Sequence, residues 1–367
     1  MTVKNLSATS NTNIFVKVLK HCFRLQKTII IIMAIAFLDL NNIDERKKQT
    51  AILNEIGPHS VAIFPAFLKS VQDTYNLNCL YITCFDNGRL YGVGAFYERR
   101  DIRGRITLVS LPGGFYAVNH VAEKEMIKSL NNYTKDKDMN GPVFCDLQVP
   151  LQALNSQNIY FRAVKHLNKD EKDVTSSFSK NIRRDYKTAK KKGLRLVESK
   201  DVAAFYEVWA RNMRDLGTPP MPISFFLNLQ KNFQESIDVL LVKKSDKTIG
   251  GAFVIQSGDY AINLFASSLK SYFKFYPNIF LYYEMIIWAC RNGIETFDLG
   301  RSQPGSGNEK FKLRFGSKLF PLYTYPGLIN SRRKLMINSI LAGTWKYVPV
   351  KASNILGPYI RNYIPFG

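Results

Sequence analysis

The densest run of reactive side chains in the sequence lies between Phe297 and Gly316, FDLGRSQPGSGNEKFKLRFG. Ile294 to Leu299 follows Gly293 and reads as a short buried strand, so Asp298 and Arg301 fall at its exit, where side chains meet a cleft. The loop from Ser302 to Lys310 carries Gly305 and Gly307, whose bare backbone lets amides approach a ligand closely. Phe311 and Lys312 then place an aromatic beside a compact cation with three donors. Such a set is compatible with phosphate and places a cation near whatever the glycine loop holds. Asp298 is placed to orient or deprotonate an attacking group, or to pair with Arg301 across the strand end. Arg301 offers a planar fork for phosphate or carboxylate, and Ser302 one further hydrogen bond.

Two helices must position this stretch. Asn278 to Cys290 is apolar nearly all round and therefore buried. It carries Tyr282 and Tyr283, which either reach the cleft or pack in the core, and Glu284, a second acid/base candidate or a structural partner for an arginine. Farther upstream, Ser179 to Gly193 has Ile182, Tyr186 and Ala189 at helical spacing, a serine to cap it and a glycine to stop it. The rest of that helix is cationic, including Arg183, Arg184 and Lys187 against the single Asp185, which points to phosphate contact.

A chain of 367 residues exceeds the usual single core, so two domains are expected. Hydrophobic content of 46% with 13% aromatics excludes a disordered chain. The formal charge of +22 calls for an anionic partner such as RNA, a lipid surface or a diphosphate. Cys22, Cys79, Cys84, Cys145 and Cys290 lack the short paired spacings of zinc or thioredoxin-like sites and read as free thiols in a reducing compartment. His21, His59, His120 and His166 form no HExxH pattern or hydrolase triad signature, so no motif announces a metalloenzyme or a serine hydrolase.

In chain order, Ile29 to Leu38 is shorter than a membrane span and lacks a small-residue cleavage site, which leaves a signal h-region, an interfacial segment or the start of the fold. Ala34 to Leu40 reads as a first buried strand, with residues 1–32 an extension ahead of an alternative start at Met33. A helix from Asp44 to Ile56, stopped by Gly57 and Pro58, and another from Phe64 to Tyr75 precede a hairpin, Leu80 to Phe85 and Leu90 to Tyr97, around Asp86-Asn87-Gly88. Leu111 to Tyr116 reads as a turn, Glu123 to Leu130 as a helix, Asn131 to Gly141 as a polar connection and Val143 to Val149 as a strand. The second half opens with a helix from Val202 to Leu216, then a hairpin of Val239 to Val242 and Ile249 to Ile255, then a strand from Tyr260 to Ala266. Gly250-Gly251-Ala252-Phe253 echoes Gly92-Val93-Gly94-Ala95-Phe96, a weak internal repeat. Two similar mixed α/β units side by side, 33–178 and 179–330, leave a central cleft for a ligand, with 331–367 a basic and apolar tail. The tail reads either as an interfacial segment for anionic lipid or as a helix packed on the second unit.

The order Asn278, Tyr282-Tyr283, Gly293, Phe297-Asp298-Leu299-Gly300-Arg301-Ser302, Phe311-Lys312, Phe315-Gly316 resembles the C-terminal half of FemAB-like proteins, tandem GNAT-fold acyltransferases. The basic segment 181–193, Arg214 to Pro219 and the tail from Trp345 to Pro358 resemble the branch associated with exopolysaccharide and exosortase systems. The resemblance implies two GNAT-like (acyl-CoA N-acyltransferase) α/β mixed-sheet domains in tandem. It implies N-acyl transfer to an amino group of a cell-envelope, peptidoglycan-type or exopolysaccharide intermediate, a lipid-linked or nucleotide-linked sugar. It also implies no tightly bound cofactor, with acyl-CoA or aminoacyl-tRNA as co-substrate, in the cytoplasm or at the inner face of the plasma membrane. Phe311 and Lys312 match the family's Phe-Lys pair, which gives Lys312 the developing oxyanion or a nearby phosphate. Two departures leave the donor open: Gly300-Arg301-Ser302 stands where a second glycine is expected, and no coiled-coil arm for tRNA is evident. Arg89-Leu90-Tyr91-Gly92-Val93-Gly94 matches the R-x-x-G-x-G coenzyme A pattern but continues as strand instead of opening a helix. The reading from another class is a non-catalytic RNA- or anion-binding protein on the same fold.

Overall fold

The computed structural model describes residues 33–56, 60–101, 103–152, 154–168, 170–325 and 343–361. The extension 1–32, the Gly57-Pro58 helix stop and parts of the tail lie outside the described residues. The first unit runs β1 (Ala34–Leu38), α1 (Ile43–Ile56), α2 (Pro65–Tyr75), β2 (Cys79–Asp86), β3 (Arg89–Arg100), β4 (Ile106–Ala117), α3 (His120–Asp136) and β5 (Asn140–Val143), with a sheet in the order β1-β2-β3-β4-β5. The β2–β3 hairpin turns on Asn87 and Gly88, both left-handed at φ +48° and +79°, as a tight two-residue turn requires.

Four sequence expectations change here. β1 is largely exposed where a buried strand was expected, because it forms the edge of its sheet. Leu111 to Tyr116 is not a turn but part of β4: Gly113 takes a left-handed φ of +73°, its amide donates to the Cys145 carbonyl at 2.8 Å, and strand pairing resumes at Phe115. The helix expected to end at Leu130 continues to Asp136, because Thr134 extends the buried face of Met126 and Leu130 while Asn131 and Asn132 face solvent. Asn119 caps it by accepting from the Ala122 amide. The strand expected at Val143 to Val149 is β5, which stops at Val143; Asp146 then turns the chain at φ +50° and only Leu147 bridges to Tyr323.

The second unit comprises β6 (Gln157–His166), α4 (Glu171–Ser176), α5 (Lys180–Lys191), β7 (Leu194–Ser199), α6 (Val202–Asp215), α7 (Ile223–Phe233), β8 (Ile237–Lys244), β9 (Lys247–Ser257), β10 (Tyr260–Ser268), α8 (Pro277–Arg291), β11 (Thr296–Ser302), α9 (Gly307–Leu313), β12 (Lys318–Thr324) and α10 (Val350–Arg361). Its seven-stranded sheet has the order β12-β6-β11-β10-β9-β8-β7. β6 and α7 have no counterpart in the sequence reading, and β6, although inside 33–178, is hydrogen-bonded between β11 and β12. The two sheets therefore divide between Val143 and Gln157.

One apolar core joins the units. Val61, Phe67 and Val93 of the first pack with Phe205, Trp209, Phe225, Phe226 and Phe253 of the second, and Phe67 meets Phe225 edge-on at 6.0 Å. The outer face of the second sheet is covered by α5 and α8 through Ile182, Ala189, Phe280 and Ile286. The sheet's one parallel pair, β10 with β11, holds Tyr260 to Ile262 against Thr296 to Asp298, after which both strands become irregular. Among the described residues, no helix is long and apolar enough to cross a membrane.

Candidate active site

Where β11 leaves the sheet its register against β6 shifts between Asp298 and Arg301, and Gly300 takes φ +83°. A Cβ at Gly300 would lie 3.1 Å from the Asn263 carbonyl, so the close approach of β10 also requires glycine. The bulge folds the Gly300 amide back to donate to Asp298 Oδ1 at 2.7 Å. Asp298 is buried, accepts from the Tyr260 hydroxyl at 3.1 Å and lies 3.5 Å from Arg162 Nη1. Burial pushes its carboxyl up, and Arg162, the Gly300 amide, Tyr260 and Lys312 oppose that rise.

The glycine loop is the start of a capped helix. Ser306 accepts from the Glu309 amide at 3.2 Å, and Glu309 accepts from the Gly305 amide at 2.8 Å, with Gly305 left-handed at φ +72° and Gly307 the first residue of α9. α9 thereby carries Lys312 onto the bulge, where Nζ donates to the carbonyls of Gly300 at 2.9 Å and Arg301 at 2.8 Å. Lys312 is only 4% exposed. Burial pushes its amine down to about 8; Asp298 works against the shift and Arg301 adds to it. Two of its three donors sit on carbonyls, which leaves one for charge developing on a substrate oxygen.

Beside the lysine, the Phe311 ring meets Tyr282 at 5.0 Å and Phe315 at 5.2 Å. Asn263 of β10 donates through Nδ2 to the Tyr282 hydroxyl at 3.2 Å, and burial pushes that phenol up to about 12. Asn263 Oδ1 and Ser302 Oγ are buried without a hydrogen-bond partner. Asn263 follows the last residue of β10 paired with β11, and Ser302 ends β11 beyond the bulge.

The structure thus gathers Lys312, Asp298, Phe311, Tyr282 and Ser302, and adds Arg162, Tyr260 and Asn263, which no motif singled out. Arg301 turns away: its Nη1 donates to Asp146 at 2.6 Å and its guanidinium lies 4.6 Å from the Tyr160 ring centre. Tyr283 and Glu284 face α5, because consecutive helical residues point about 100° apart. Glu284 accepts from the Tyr186 hydroxyl at 2.5 Å, and the Tyr186 ring stacks on Tyr283 at 3.6 Å. Arg183 donates to the Ser176 carbonyl at 2.6 Å, Arg184 pairs with its neighbour Asp185 at 2.9 Å, and Lys187 is exposed. Among the described residues no cluster of His, Cys, Asp and Glu could hold a metal ion. A cavity of about 360 Å³ bounded by Asn54, Phe64, Asn232 and Ser257 lies elsewhere, where α1 approaches the β9–β10 turn, and shares no residue with the Lys312 group.

Residues 176–313, from the end of α4 through α9, match the family of acetyltransferase (GNAT) domains. In structure the chain is similar to FemX, with a TM-score of 0.63 and 15% identity over 80% of this chain and 98% of that one. It is also similar to the C-terminal domain of a putative lysylphosphatidylglycerol synthetase from Agrobacterium fabrum (TM-score 0.55, 12% identity, 81% and 96% covered). A third similar structure is L-PGS from Bacillus licheniformis (TM-score 0.54, 12% identity, 82% and 97% covered). No curated protein matches the sequence. The two-domain GNAT fold expected from the sequence is the fold observed.

Proposed function

We propose that this chain, which carries the tandem GNAT fold of the FemAB-like proteins, is an N-acyltransferase that moves an acyl or aminoacyl group onto an amino group of a cell-envelope intermediate. The observation that carries the reading is a buried amine, Lys312, held at the point where the parallel strands β10 and β11 part, beside the unpartnered polar atoms of Asn263 and Ser302. In the transfer, the acceptor nitrogen attacks the acyl carbonyl carbon, a C–N bond forms, the C–S or C–O bond to the carrier breaks, and the amine proton ends on the leaving group or solvent. Lys312 supplies its remaining N–H to the carbonyl oxygen as that oxygen takes charge. Asp298, whose oxygens are held by Tyr260 and Gly300, supplies negative potential that keeps Lys312 charged. Arg301, engaged by Asp146, serves the frame of the site; Ser302 and Tyr282 line the substrate.

Neither donor is singled out: acyl-CoA suits the matched domain family, and aminoacyl-tRNA remains open. An anionic acceptor at the inner membrane face fits the charge of +22 and the name of the lysylphosphatidylglycerol synthetase neighbour. The second reading, an RNA- or anion-binding protein without chemistry, draws on the exposed cations of α5 and on the carbonyl bonds that occupy most of Lys312. Single-turnover transfer from labelled acyl-CoA and aminoacyl-tRNA to amine acceptors decides between them. Loss of one oxyanion donor lowers kcat about 10²- to 10³-fold, so Lys312→Met should do so while donor binding changes only a few-fold. An unchanged turnover number would sink the assignment of Lys312.

A further inference from the structure

Three segments distant in sequence bring lysines around one aromatic ring at the end of the second sheet. Lys192 caps the C-terminus of α5, Lys244 ends β8, and Lys274 lies in the short 3-10 helix Lys270–Phe275 after β10. Their ammonium groups stand 5.8, 4.5 and 5.3 Å from the centre of Phe275. Lys192 Nζ also donates to the Lys274 carbonyl at 2.8 Å, and Lys244 Nζ to the Lys192 carbonyl at 3.0 Å, so the cations are fastened close together. Lys247 adds a fourth over Tyr272 at 5.5 Å. Lys190 and Lys191 of α5 and Lys270 are exposed alongside. The hairpin tip carries Asp246, which pairs with Arg195 at 3.5 Å. Interleaved with these cations are two rings left open to solvent, Phe273 at 46% and Tyr276 at 37% exposure.

Like charges held this near one another repel, and the repulsion is relieved by an extended anion. Exposed rings between cations are what a single-stranded nucleic acid uses, its phosphates on the lysines and its bases stacked on the aromatics. A bilayer would call for a wide apolar face to enter the headgroup boundary, whereas here two partly exposed rings stand among seven lysines. We infer that the surface formed by the C-terminus of α5, the β8–β9 turn and the Lys270–Tyr276 turn binds single-stranded nucleic acid, for which an oligoribonucleotide is the probe. β8, β10 and β11 run in the same direction, so the surface lies at the same end of the sheet as the β11 exit. Three strand spacings separate them, about 15 Å at ~4.8 Å each. The inference concerns binding alone and stands apart from the transfer chemistry.

The test is fluorescence anisotropy of a labelled single-stranded oligoribonucleotide against salt, with the full chain. One variant is Lys192→Gln/Lys247→Gln/Lys274→Gln; the control, Lys124→Gln/Lys128→Gln/Lys135→Gln, removes equal charge from α3 of the first unit. The first triple should weaken binding at least about tenfold and lower the slope of log K against log salt by about 2, at ~0.7 per phosphate contact. The control should change binding less than about twofold, since distant charges are screened beyond ~8 Å at 0.15 M salt. Phe273→Ala should cost roughly 5- to 100-fold, the value of one stacked base. Matching thermal melts establish that the variants are folded. Equal losses in both triples, no binding by the parent, or a cluster triple that loses phosphatidylglycerol vesicles while keeping RNA would each overturn the proposal.

Discussion

Lys165 and Lys312 share an environment that a lysine seldom occupies. Lys165 Nζ donates to Ser177 Oγ at 2.7 Å beneath the Phe178 ring, and burial pushes its amine down to about 8, as it does for Lys312. Between about 8 and the ordinary 10.5 these two amines therefore hold fewer protons in the folded protein than in the unfolded chain. Their contribution to stability should rise with pH across that window, against the opposite contribution of the Cys79, Cys84 and Cys145 thiols, which burial pushes up. Each lysine contributes a slope of at most ~1.4 kcal/mol per pH unit. The stability of the parent relative to Lys165→Met, read from urea midpoints, should therefore grow from pH 8 to 10.5, since the variant lacks this contribution and keeps all the others. Identical slopes would show that Lys165 keeps its proton in the fold. The site residues were partly legible at this scale: Lys312 and Asp298 stand in a recognisable run, whereas Asn263 and Tyr260 carry no motif, and only strand pairing sets them opposite that run.

At the scale of elements, the bulge in β11 decides the site. Gly300 bends the strand so that two successive carbonyls face α9, and Lys312 is aimed by them. Gly300→Ala places a side chain at φ +83° and 3.1 Å from the Asn263 carbonyl. A loss of about 1–3 kcal/mol in urea unfolding is expected from the backbone strain, together with a drop in transfer rate as the carbonyls shift. A variant with parent-like stability would mean that the bulge relaxes freely. The periodic elements α5 and α6 were readable because an apolar stripe, a cap and a stop glycine lie within one segment, and α8 because an apolar run ends at Gly293. β6 was not, because its partners β11 and β12 lie more than a hundred residues onward and its own residues alternate weakly.

For the whole molecule, the link between units has an apolar and a polar part. The shared core of Phe67, Trp209, Phe225 and Phe226 binds the sheets together. At the edge, Asp146 of the first unit accepts from Arg301 at 2.6 Å and from Thr324 at 2.9 Å. Arg301 is a third exposed, so solvent screens the pair, and Asp146→Ala should cost only about 1–2 kcal/mol. Unfolding should remain a single transition, since the core is common to both units. Two separated transitions in calorimetry would show instead that the units fold independently.

The sequence by itself determined the class of fold, the basic helix, the hairpins and the stretch that carries Asp298 and Lys312, because periodicity, caps and turn residues act over a few positions. Tertiary structure alone decided that Arg301 answers to Asp146, that Glu284 and Tyr283 face α5, and that Lys192, Lys244 and Lys274 surround one ring. Those outcomes depend on strand order and on the rotation of each helix about its axis, which are fixed by burial of the whole core and not by any neighbour in the chain.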